Sequence, residues 1–309
     1  MTDAPPAGPR PGNAPDRAAP RTAAPGTDIP LLAVAHGTRD PEGRAAVAEL
    51  LDLVRALRPG LTVGLGYVDV AEPLLADTLA RMSGPVVAVP LLLGAGYHVR
   101  EDIPAALATA PQVQARVARV LGPDPLLAEV LGERLAAAWP PCCPQPVDSP
   151  RHVLDSGPDA TDATDATDAT AAFADCQAIV LAAAGSTDPG ANADTARMAG
   201  ILADRTGLPV VPSYLCAGTP TPADAVAALR AEGIHNIAVS GYLMSPGYFA
   251  RKAAASGATA TAAPLGAHPA LARLVLARYD EVLRTGAGTE TGPPAEPTPL
   301  PSPPDARRP

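Results

Sequence analysis

The sequence contains the same pattern twice. "HGTRDP" (His36–Pro41) returns as "AGSTDP" (Ala184–Pro189), "EPLLAD" (Glu72–Asp77) as "TPTPAD" (Thr219–Asp224), and "GYHVRE" (Gly96–Glu101) as "GYFARK" (Gly247–Lys252). Three matched blocks in one order, at nearly constant spacing, imply a duplicated unit of domain size. Such a chain is expected to fold into two similar lobes related by a pseudo-two-fold axis.

Between the matched blocks, short apolar runs alternate with segments of helical periodicity. In the first copy the runs at 29–35, 61–68, 85–93 and 114–121 read as strands, and 42–57, 72–82, 101–110 and 124–139 as helices. The second copy gives strands at 177–185, 208–215, 234–244 and, weakly, 258–264. Its helices fall at 191–206, 222–233, 246–256 (a loop leading into a helix) and 268–283. Strands that are apolar on both faces belong in a parallel sheet covered by helices. The predicted class is therefore α/β, with two tandem four-stranded parallel-sheet βα lobes. With 3% aromatic residues, the core must be built from Leu, Val, Ile and Ala.

Residues 1–27 and 286–309 are rich in Pro, Ala and Gly without periodicity and read as disordered tails. Residues 141–173, prolines followed by a repeated Asp-Ala-Thr triplet, read as a linker between lobes at 28–140 and 174–285. The formal net charge of -9 argues against non-specific nucleic-acid binding. No apolar run approaches the roughly 20 residues of a membrane span, and nothing resembles a signal peptide, so a cytoplasmic protein is expected. Cys142, Cys143, Cys176 and Cys216 match no zinc spacing, and the Cys142-Cys143 pair reads as a dispensable part of the linker.

Ligands of open parallel sheets bind at the carboxyl ends of the strands. His36 follows the first strand, Asp69 the second and His98 the third, all on one edge of the first lobe. Two imidazoles and a carboxylate suit a divalent iron-group metal with positions left open for a substrate. A neutral imidazole can also take a proton near pH 7. In the second copy the aligned residues are Ala184, Cys216 and Phe249. Groups needed by the fold would be kept in both copies, so their loss from one marks a function held by the first lobe. Arg39, Arg44 and Arg100 flank the same edge and could fork onto carboxylates. Gly94 and Gly96 could admit a flat ligand, or only serve tight turns. His152, His235 and His268 read as structural or solvated. The sequence has neither the glycine pattern of a dinucleotide site nor a phosphate loop. A phosphohistidine enzyme would want an arginine before His36, where Ala35 stands.

"LLAVAHGTRDPEGRAAVAELL", "GYVDVAEPLLADTL" and "VVAVPLLLGAGYHVREDIPAAL" together resemble the sirohydrochlorin chelatases of the CbiX/SirB type, of the class II chelatase fold. The resemblance covers about residues 29–140, and the second lobe is similar in scaffold. It implies insertion of Fe2+ or Co2+ into sirohydrochlorin, for siroheme or cobalamin synthesis, with no cofactor beyond the substrate metal. It assigns the two active-site histidines to His36 and His98. It also places Asp69 where the family often has Glu, one methylene longer. Short members are single-lobe homodimers, so this chain resembles the long form with one site decayed, a monomer with an internal pseudo-dimer. Two other readings stay open at this point: a tetrapyrrole or metal carrier without catalysis, and a chelatase for a different tetrapyrrole.

Overall fold

The computed structural model describes residues 29–96, 98–139, 175–285 and 289–290. The 1–27 tail, the 141–173 linker, Cys142-Cys143 and His152 lie outside the described residues. The first lobe runs β1 (Leu31–Ala35), α1 (Pro41–Leu57), β2 (Val63–Tyr67), α2 (Leu75–Ala80), β3 (Gly84–Pro90), a π-helical turn (His98–Asp102), α3 (Ile103–Ala108), β4 (Val113–Val117) and α4 (Pro125–Ala138). The second runs β5 (Ala178–Gly185), α5 (Pro189–Thr206), β6 (Val210–Ala217), α6 (Pro222–Ala231), β7 (Ile237–Tyr242), α7 (Tyr248–Ala254), β8 (Ala260–Thr261) and α8 (Pro269–Thr285). Strand order is β2-β1-β3-β4 in one sheet and β6-β5-β7-β8 in the other, and all these pairs are parallel. The two lobes thus share one topology, as the duplicated blocks predict.

Strand alternation divides each sheet between two cores. On β1, Leu32 and Val34 face Leu75, Leu79, Ile103 and Leu107 of the lobe's own α2 and α3. Leu31, Ala33 and Ala35 face inward, to a core shared with Val47, Leu50, Leu51 and Val54 of α1 and with Ile179, Leu181 and Ala183 of β5. Likewise Ala178, Val180 and Ala182 of β5 face outward to Val226, Leu229 and Ala253.

Periodicity predicts these helices but not which sheet each covers. The last helix of each lobe crosses to the other: α8 packs on α1 and β3, while α4 packs on α5, β7 and β8. Leu127, Leu131 and Leu135 of α4, with Leu271, Leu274 and Val275 of α8, fill the shared core at 2% exposure or less. Without its partner, each sheet would leave the apolar inner face of its strands in water.

Polar ties close the exchange. Arg278 on α8, only 3% exposed, donates to the Val120 and Leu121 carbonyls and to Asp124 at 3.0, 2.7 and 2.8 Å. Arg58 forks onto Asp280 at 2.5 and 2.7 Å, and the Tyr279 hydroxyl donates to the Ile29 carbonyl. Arg134 reaches the Leu265 carbonyl at 2.9 Å. His268, read as solvated, instead contacts Glu133 at 2.9 Å with its side chain 14% exposed.

Two local departures from the sequence reading have physical causes. The helix expected over 101–110 is preceded by the π-helical turn, because the Pro104 ring would clash with the carbonyl four residues back in a continuous α-helix. The second copy has Ala255 at that position, and α7 needs no such turn. The tail expected to be disordered from 286 contributes Thr289–Glu290, which pairs antiparallel with Val117 and Arg116. The edge of β4 offers unpaired backbone groups that such a segment can satisfy.

Breaking the buried tie should cost far more than breaking an exposed one. Arg278→Leu strands Asp124 and two carbonyls and should lower the unfolding free energy by about 3 kcal/mol in urea titration. Arg273→Ala, which removes an exposed pair with Glu129, should cost below about 1 kcal/mol.

Candidate active site

β1 is buried along its whole length, and the chain surfaces at His36. Gly37 then takes φ +101°, and a Cβ there would overlap the Asp69 carbonyl oxygen. The β2–α2 loop is pinned against this turn by Val68 N–H to the Ala35 carbonyl (2.8 Å) and Asp69 N–H to the His36 carbonyl (3.0 Å). Gly185 repeats the arrangement at φ +84°, against the Ala217 carbonyl. Both lobes keep this close approach, so Gly37 serves the scaffold.

Residue 70 is less ordinary. Ala71 N–H donates to the Asp69 carbonyl at 2.8 Å, closing a three-residue turn around Val70 at φ +63°. A β-branched side chain in the left-handed region is strained, and Val70 projects 40% exposed. Strain of this kind clusters at functional sites.

His98 opens the π-helical turn after β3. Its ring lies 4.3 Å, centroid to centroid, from that of His36, with the planes inclined at 45°. Asp102, one turn on, contacts His98 Nδ1 at 2.6 Å. With a proton on Nδ1 directed at the carboxylate, the neutral ring carries its lone pair on Nε2. The structure therefore brings together two of the three residues singled out from the sequence. Asp69 does not join them as the expected third metal ligand. Its carboxylate accepts the Val70 N–H at 2.7 Å, and among the described residues no three His, Cys, Asp or Glu side chains converge closely enough to hold a metal.

The arginines separate. Arg39 lines an open cleft of about 490 Å3 with Thr38, Asp40, Pro41 and Val70, faced across the lobe boundary by Tyr248 and Arg251. Arg44 sits near Tyr67 at the end of β2: burial pushes the Tyr67 hydroxyl above its usual value, and the Arg44 charge pulls it back. Arg100 forms an ion pair with Asp188 of the second lobe at 2.7 Å. Gly94 and Gly96 also face that lobe, where added Cβ atoms would lie 3.7 Å from Ala191 and 3.4 Å from Ser186 Oγ.

Tyr248 and Arg251 were not singled out from the sequence, although the match of "GYFARK" with "GYHVRE" carries both to this edge. Tyr248 is 69% exposed, far more than any packing role requires, and its ring is 5.6 Å from that of Phe249. Asp102 was also missed; its four-residue spacing from His98 was the available signal.

The lobe boundary here is reciprocal. Asp40 caps α1 by accepting the Glu42 N–H and pairs with Arg251 at 3.0 Å, just as Asp188 caps α5 through the Gly190 N–H and pairs with Arg100. Arg251, more than any other neighbour, holds the Asp40 carboxyl below its ordinary value.

A single family model, that of CbiX, matches residues 30–138 and again 178–282. The chain belongs to the CbiX family. Among relatives of this CbiX chain, the sirohydrochlorin cobaltochelatase of Methanosarcina acetivorans is 27% identical over 123 residues, 35% of this chain and 95% of that protein. The sirohydrochlorin cobaltochelatase of Methanopyrus kandleri is 28% identical over 138 residues, 36% of this chain and 96% of that protein. These relatives are therefore about one lobe long. Among solved structures, SirB from Bacillus subtilis with Fe3+ superposes at a TM-score of 0.60, with 18% identity, over 82% of this chain and 94% of that one. A CbiX described as the terminal enzyme of siroheme biosynthesis in denitrifying bacteria gives 0.55, with 19% identity, over 82% of this chain and 98% of that one. These likenesses show that the two-lobe fold is the chelatase fold.

The Asp40–Arg251 pair sets a pH dependence for the CbiX chain. A carboxyl titrating below its ordinary value of 3.8 in the folded state contributes stability that is complete above that value. The contribution fades as pH falls through the lowered one. Asp40→Asn keeps the helix cap but loses the ion pair. Its melting temperature should lie below wild type at pH 6, and the gap should shrink toward pH 3, as read by thermal unfolding.

Proposed function

We propose that this chain inserts a divalent metal, Fe2+ or Co2+, into sirohydrochlorin, and that the first lobe alone does the chemistry. The observation that carries the reading is the imidazole pair, His36 and His98, with rings 4.3 Å apart on the carboxyl edge of the first sheet. Ala184 and Phe249 stand at the matched positions of the second lobe. Membership of the CbiX family supports it further.

Insertion must strip ligands from the metal and remove two protons from the inward nitrogens of the macrocycle. Imidazole is a borderline donor suited to both metals. Asp102 orients His98 so that Nε2 faces the chemistry, and His36, exposed at the strand end, shares metal delivery and proton removal. The cleft between lobes takes the substrate. Tyr248 and Val70 offer apolar surface to the flat ring, and Arg39 meets the rim carboxylates. No nucleotide is required by this chemistry.

The test is metallation of sirohydrochlorin by purified protein, run in parallel with Fe2+, Co2+ and Ni2+. The rate should exceed the spontaneous one with Fe2+ or Co2+. His36→Ala and His98→Ala should each lower it by roughly 100-fold or more, while denaturation midpoints stay near wild type because neither residue is buried: His36 is exposed after β1 and His98 opens a half-buried turn. Near-normal turnover in His98→Ala would refute the site, and binding without acceleration would make the protein a carrier.

A further inference from the structure

Leu91 and Ile103 are packed at 2% and 0% exposure, but none of the described residues between them, 92 to 102, is buried. Leu92 and Leu93 pack partly against the cores at the start of this segment, and beyond them no described side chain up to Asp102 joins either core. Within the first lobe the Leu121 N–H donates to the Leu92 carbonyl at 2.9 Å, and further along the segment the contacts come from the second lobe. The Tyr242 hydroxyl, on β7, donates to the Leu93 carbonyl at 3.2 Å. Asp188, at the start of α5, pairs at 2.7 Å with Arg100, two residues past His98. Ala191 and Ser186 meet Gly94 and Gly96 beside these ties.

Comparison with the mirrored loop shows which ties are general. Arg251–Asp40 repeats Arg100–Asp188, so an ion pair holds each loop to the opposite lobe. The hydroxyl tie is not repeated, because the residue matched to Tyr242 in the first lobe is Leu91. Only the loop that carries a histidine receives both. Tyr242 is also kept neutral as a donor: burial, reinforced by Asp194 and Asp124, pushes its hydroxyl far above the usual phenol range.

We infer that Asp188 and Tyr242 of the second lobe are positioning residues for His98, holding the 92–102 segment so that its imidazole meets that of His36. The inference rests on the metal-insertion reading above and gives the lobe that lacks the imidazole pair a share in the reaction. It also makes Arg100 a partner of Asp188 and not a ligand for substrate carboxylates. An ion pair this exposed adds little to global stability, so its effect falls on local order.

The test uses the full chain carrying Asp188→Asn, Arg100→Gln, the two combined, or Tyr242→Phe, with Arg273→Ala as control. Asn retains the cap on α5. Each single variant in the clamp should lower turnover at saturating sirohydrochlorin roughly tenfold, with KM within about twofold. The combined variant should be no worse than either of its parents, as expected for two residues acting through one contact. Amide hydrogen exchange across 92–102, read on the same samples without substrate, should rise several-fold in the clamp variants and stay at the wild-type rate in Arg273→Ala. Wild-type turnover in Asp188→Asn and Tyr242→Phe overturns the inference, as does unchanged exchange. Additive losses in the combined variant overturn the role given to Arg100. If the unmodified protein inserts no metal, the functional reading fails by itself, and the exchange rates still decide the positioning claim.

Discussion

The structure depends on two helices that leave their own lobes. α4 covers the second sheet and α8 the first, so the inner face of each sheet is dry only when the other lobe is in place. Hydrophobic burial then acts on the pair of lobes as one unit. The two carboxyl edges, where parallel sheets present their chemistry, are brought to a common boundary as a consequence. A site on the first edge can therefore be walled and tied by residues of the second without any of them lying near it in sequence.

Duplication gives the boundary its symmetry, and divergence gives it direction. Each Asp-Pro at a helix start caps its own helix and reaches an arginine of the opposite lobe. Each close approach beside it contains one glycine, Gly43 against Ser245 on one side and Gly94 against Ala191 on the other. On that common frame one copy has His36 and His98, and the other has Ala184 and Phe249. The second copy has given up the imidazoles and kept what the frame needs, together with Tyr248 and Arg251 at the cleft and the buried Tyr242 behind it.

Most of the fold could be read from the residues because its signals are local. Apolar runs such as "LLAVA" and "AIVLAAAG" became strands, and the helical spacing in "EGRAAVAELLDLVRAL" became α1. The residues His36 and His98 could be read for a different reason: the second copy serves as an internal control that shows which polar groups the scaffold does not need. What stayed hidden was non-local. Nothing in the periodicity of α8 says that it lies on β3, and nothing in Arg100 or Asp188 says that they meet. Asp69 was expected as a ligand from its place after a strand, which fixes the edge but not the reach of the side chain; in the structure its carboxylate accepts the Val70 N–H of its own turn. The two-residue pairing of Thr289–Glu290 depends on the open edge of β4 and carries no signal in the tail itself.

The central claim is that one metal passes through a single pair of imidazoles in the first lobe. Anomalous X-ray scattering from crystals soaked in Co2+ measures this most directly. The account predicts one strong cobalt peak within coordination distance of both His36 and His98, lost in His98→Ala, and none beside Ala184 and Phe249. A peak bound elsewhere, with the two rings unengaged, would contradict it.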